Sequence, residues 1–133
     1  QRAHWVAAFD AFPDHPVCRG VTKFEVNDGW LWKLRFVPEM KGVTPLLRTA
    51  NPKATGKTPD SEAIVSWAYE RPGGGRSFTF TGGHLHESWG KDGYRQFLVN
   101  GILWSAGLEI PRGGAPTRLD AAELMRHLDR RPK

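Results

Sequence analysis

Two imidazoles, a carboxylate and an indole fall within six residues of one another, His84, His86, Glu87 and Trp89, directly behind the glycine pair Gly82-Gly83. Histidine exchanges its proton near neutral pH. A pair of imidazoles can therefore remove a proton beside a carbonyl and stabilise the enediolate that follows. On extended backbone, residues two apart share a face. His84 and His86 there could also offer two nitrogens to a divalent metal, with Asp28 or Glu87 adding oxygen and His4 a third imidazole. The structural alternative is one ring hydrogen-bonded at a strand end and the other solvated. Asp28 either joins this chemistry or caps the turn that Asn27-Asp28-Gly29 spells. Trp30 and Trp89 supply flat faces of the kind that stack on sugars, or else they fill the core.

The elements that must position these groups are legible around them. Ser77, Thr79 and Thr81 alternate with Phe78 and Phe80, the period-two pattern of a strand over 76–81. Gly82 and Gly83 end it, since glycine turns sharply at little steric cost. A helix follows, with Asp92 as N-cap, an apolar set from Tyr94 to Trp104, and Gly107 at the C′ position. The cluster thus lies where a strand hands over to a helix, the usual ligand position in open α/β sheets.

Earlier in the chain, His4 to Phe9 and Phe24 to Asn27 suit strands. Trp30, Trp32, Leu34 and Phe36 alternate with Lys33 and Arg35 in a further strand. Val43 to Thr49 contains Pro45, which favours a sheet edge. Residues 51–61 read as a loop without a phosphate-binding signature. Ala63 to Glu70 places Val65, Trp67 and Tyr69 on one face and joins the 76–81 strand through the Arg71–Arg76 turn as a hairpin. His15 reads as a turn residue. Thr117-x-x-Asp120 reads as a capping box for a last amphipathic helix carrying Ala121, Leu124, Met125 and Leu128, with His127 on its polar side.

With 133 residues, the chain is one domain's worth or part of a larger one. Its formal charge is +5, yet Lys and Arg are scattered outside the Arg126–Lys133 tail, so no nucleic-acid partner is expected. A single cysteine, Cys18, excludes an internal disulfide framework. No apolar run reaches the length of a membrane span. A first residue of Gln1, with structured sequence beginning at once, is expected either where something upstream was removed or in a piece of a longer protein.

HWVAAFDAFPDHPVCRGVTKFEVNDGWLWKLRF, GVTPLL, VSWAYERPGGGRSFTFTGGHLHESW and YRQFLVNGILWSAG resemble, in order, the ThuA-like (trehalose utilisation) family of bacteria. The resemblance implies an α/β fold of the class I glutamine amidotransferase-like kind, a layered flavodoxin-like sheet, present only as its C-terminal half. Residues 1–110 would form that half and 111–133 a connector and C-terminal helix; the missing N-terminal half becomes a partner. It implies the processing of a small-molecule carbohydrate, an oxidised (keto) sugar or disaccharide, by an isomerase or lyase. The alternative is a non-catalytic sugar-binding or scaffold module. His84, His86 and Asp28 would be catalytic, and Gly83, Glu87, Trp30 and Trp89 would contact substrate. A divalent metal on His84 and His86 would be the cofactor. The location, cytoplasmic or exported, stays open, as does homo-oligomerisation. Gly29 stands where the family has a glutamate between Asp28 and Trp30. Ser88 stands where amidotransferases carry the carboxylate that orients their histidine, so amidotransferase activity is not expected.

Overall fold

The computed structural model describes residues 1–50 and 62–126. The expected loop at 51–61, together with His127 and Leu128, lies outside these residues. Arg2–Phe9 forms strand β1 and Phe24–Leu31 strand β2, paired antiparallel with His4 opposite Gly29 and Trp5 opposite Asp28. Val43–Ala50 (β3), Glu62–Glu70 (β4) and Arg76–Phe80 (β5) form a second antiparallel sheet in the order β3-β4-β5. Pro45 thus lies on an edge strand, where its missing N–H costs no ladder bond. The β4–β5 hairpin closes through Arg71–Gly75, as expected.

Side-chain and loop bonds tie the two sheets together. Trp5 Nε1 donates to Thr49 Oγ1 at 3.2 Å, and the Leu31 N–H at the end of β2 donates to Thr81 Oγ1 at 3.4 Å. Helix α1, Asp92–Ser105, lies against β5. Gly101 makes that approach possible, since a Cβ there would stand 2.3 Å from the Phe78 ring. The core is aromatic: Trp5, Phe9, Phe24, Trp30, Tyr94, Phe97 and Trp104 are all buried in it. Full burial of a ring such as Phe97 contributes about 1.5–3 kcal/mol.

Three local expectations change in the folded chain. Asn27-Asp28-Gly29 is not a turn but the middle of β2. Its turn-like composition is overridden because the Asp28 carboxylate finds backbone donors across the fold and Gly29 leaves room above the strand. The strand expected from Trp30 to Phe36 stops at Leu31, and Lys33 takes up a left-handed conformation (φ 56°) just beyond it. Asp92 is the first helical residue rather than the cap. Lys91 occupies the cap position without a side-chain bond, and Asp92 pairs with Arg95.

The C-terminal expectations hold at α1 and shift at the last helix. Gly107 (φ 84°) closes α1, its N–H on the Trp104 carbonyl and that of Leu108 on Leu103, both at 3.0 Å. Helix α2 spans Ala121–Arg126 among the described residues and is capped by Asp120, whose Oδ1 accepts from the Ala122 N–H at 2.7 Å. Thr117 instead gives its carbonyl to Arg95. Met125, expected on the apolar face, is 50% exposed.

Candidate functional site

The site is built outward from a buried carboxylate. Asp28 has no exposed surface, and both its oxygens are filled. Oδ1 accepts from the N–H of Gly29 at 2.7 Å and of His84 at 2.9 Å. Oδ2 accepts from the N–H of Gly83 at 2.9 Å and from the Tyr94 hydroxyl at 3.2 Å. Three backbone N–H groups and a phenol replace the water the carboxylate has lost, so no cation is needed. Gly83 has φ 95°, a conformation that favours glycine, and it aims two successive N–H groups at one carboxylate. Gly82 must also lack a side chain, since a Cβ there would lie 2.6 Å from the Phe80 ring and 2.9 Å from Asp28 Oδ2.

Held in this way, His84 stands over β2 and meets His4 of β1. Their ring centroids are 4.7 Å apart at 80°, edge to face. Both residues are exposed. Gly29, directly opposite His4 across the ladder, supplies the floor: a Cβ there would touch both His4 and the Cβ of His84 at 3.4 Å. His4 and His84 thus form an open imidazole pair above a buried anion anchor.

The rest of the expected cluster goes elsewhere. His86–Gly90 forms a single 3-10 turn that carries His86 toward α2. There its Nε2 lies 3.1 Å from the Leu124 carbonyl. A carbonyl only accepts, so Nε2 carries the proton. Glu87 is exposed in the first part of that turn. Trp89 is half-buried, edge-on to Tyr94 at 6.0 Å. It lines an apolar cavity of about 360 Å³ together with His86, Val99, Leu119 and Leu124. Trp30 is fully buried, its Nε1 donating to the Trp5 carbonyl at 2.9 Å. It is a core residue, with no face left for a sugar.

Tyr94 is the contributor that sequence reasoning missed. It read as one apolar residue of a helix stripe, and only the fold brings its hydroxyl to Asp28. Burial, reinforced by the Asp28 charge and hydrogen bond, pushes its phenol well above the ordinary value of 10.0, so it remains a donor. His15 keeps a turn role: Nδ1 accepts from the Val17 N–H at 3.2 Å, and its ring lies on Trp104 at 5.0 Å. Burial holds its pKa below 6.5. Burial likewise pushes the Cys18 thiol up to about 12, leaving it a poor nucleophile. Among the described residues no group of three or more His, Cys, Asp or Glu side chains is placed to hold a metal. Nor is any helix among them long and apolar enough to cross a membrane.

The family model described as "ThuA: Trehalose utilisation" matches residues 3–105. Comparison with curated proteins gives no match, and neither does comparison with solved structures.

Proposed function

Since the chain belongs to the ThuA (trehalose utilisation) family, and so to carbohydrate processing, we propose that it acts on an oxidised sugar or disaccharide through the His4–His84 pair. The observation that carries this reading is the two exposed rings 4.7 Å apart, one of them on a residue whose backbone N–H is anchored to buried Asp28. A keto group makes the neighbouring C–H acidic. One imidazole of the pair takes that proton, and the other donates to the carbonyl oxygen as charge develops there. Isomerisation or elimination then follows from the same enediolate. Asp28 is a positioning residue: it touches no substrate and fixes the turn that carries His84. His86 stands outside the reacting pair, against the Leu124 carbonyl, and Trp89 lies edge-on to Tyr94 beside that same turn.

His4 and His84 are also the residues that would hold a divalent metal, which when bound would polarise the sugar carbonyl. The cover of β5 by α1 supports a layered, flavodoxin-like arrangement as part of the same proposal, although the described strand pairs are all antiparallel.

A second reading keeps the same pocket as a sugar-binding module without turnover. It draws support from the filled valences of Asp28, which leave the pair without a free carboxylate beside it. Kinetics on a keto-disaccharide separate the two. His4→Ala and His84→Ala should each abolish turnover while leaving sugar affinity within a few-fold. Equal loss of affinity and turnover, or absence of turnover in the unmodified chain, favours the binding module.

A further inference from the structure

Trp32 leaves the end of β2 on the core side of the β1–β2 ribbon, its ring edge-on to Trp5 at 5.8 Å. His4, the neighbour of Trp5 on β1, points to the opposite face, because successive side chains of a strand alternate. On the Trp32 side lies a cavity of about 300 Å³, bounded by Trp32, Phe36, Arg48, Glu62, Ala63 and Ile64. We propose that this cavity is a second sugar site, separate from the imidazole pair, and that it takes one neutral pyranose ring.

Three features argue for that ligand. The volume lies at the low end of small-molecule sites, enough for one ring rather than an extended chain. Trp32 and Phe36, both half-buried, give the cavity aromatic walls suited to the C–H face of a pyranose. Across from them, Arg48 Nη1 and Glu62 Oε2 stand 4.0 Å apart, with side chains 47% and 59% exposed. So long and solvated a pair contributes little to stability. It does set a fork of donors beside a carboxylate acceptor, the combination that grips neighbouring hydroxyls, each of which both donates and accepts. The two charges cancel locally, which argues for a neutral sugar over a phosphorylated one. Lys33 also lines the cavity and is engaged in an interaction of its own.

This inference rests on the carbohydrate reading above, and its test separates the two. Methyl α-D-glucopyranoside, trehalose and glucose 6-phosphate are titrated into the full chain and followed by amide and indole chemical shifts. The neutral sugars should shift Trp32, Ala63 and Ile64. Glu62→Gln and Arg48→Gln should each weaken that binding about tenfold without lowering the melting temperature. His84→Ala should leave it unchanged. Shifts confined to His4, Gly29 and His84 would overturn the second site while leaving the proposed function standing. Shifts at Trp32 produced by the sugar phosphate alone would overturn the neutral-ring assignment. Binding at Trp32 by a chain that never turns over a keto sugar would uphold this site and remove the catalytic reading. Shifts at neither place would overturn both.

Discussion

Asp28 and His84 are 56 positions apart in the chain, yet Oδ1 of the first accepts the backbone N–H of the second at 2.9 Å. That bond, with its companions from Gly29, Gly83 and Tyr94, turns a mid-strand carboxylate into the mount of the site. Asp28→Asn keeps the shape but presents an NH₂ group to donors that need an acceptor. We expect a loss of about 2–4 kcal/mol in urea unfolding, from two or more donors left unmet in a buried position. Amide resonances of Gly83 and His84 should move with it. An unchanged unfolding midpoint would show that the turn is held some other way.

Tyr94→Phe removes the fourth donor and should cost about 1 kcal/mol, while leaving the three backbone bonds to Asp28. The phenol has a pH signature. Its folded pKa lies above the unfolded value near 10, so its contribution is complete below pH 10 and declines as pH rises beyond that. Cys18, raised to about 12 from 9.0, acts in the same direction from pH 9 upward. Stability of the unmodified chain should therefore fall through the alkaline range, and Tyr94→Phe should flatten part of that slope. Absorbance titration should show the Tyr94 phenol ionising well above 10.0, and that late step should vanish in Tyr94→Phe.

His15 works at the opposite end of the scale. Burial lowers its pKa below 6.5, so the unfolded chain takes up the proton first as pH falls. Its contribution is present above pH 6.5 and is lost as pH drops toward the folded value. His15→Asn, which keeps a side-chain acceptor for the Val17 N–H, should reduce the difference in melting temperature between pH 7 and pH 5.

Gly29 tests the floor of the pair. Alanine fits, since its Cβ would meet His4 and His84 at ordinary contact distance, and the fold should tolerate it. Valine or leucine must displace one of the imidazoles. We expect Gly29→Val to cut turnover of a keto sugar at least about tenfold with unfolding changed far less than by Asp28→Asn.

Much of this arrangement could be read from the residues. The Phe78/Phe80 alternation, the 71–75 hairpin, edge-strand Pro45 and the glycine closing α1 are local signals, and each appears in the fold. The family followed from segments in the right order. The failures are long-range. Asn27-Asp28-Gly29 looks like a turn because Asp and Gly suit turns, and nothing nearby reveals donors more than fifty residues away. Spacing pairs His84 with His86, but the 3-10 turn beginning at His86 sends them apart, and the partner of His84 comes from the first strand. Trp30 suits a sugar or the core equally in sequence, because an exposed and a buried indole look alike until the partner strands are in place.

The proposed chemistry stands or falls on proton exchange at the His4–His84 pair. With a 3-keto-disaccharide in D₂O, the unmodified chain should wash deuterium into the position beside the carbonyl. His4→Ala and His84→Ala should each slow that exchange at least about a hundredfold, and His86→Ala should leave it within a few-fold. Exchange that survives loss of both His4 and His84, or that disappears with His86 alone, would contradict it.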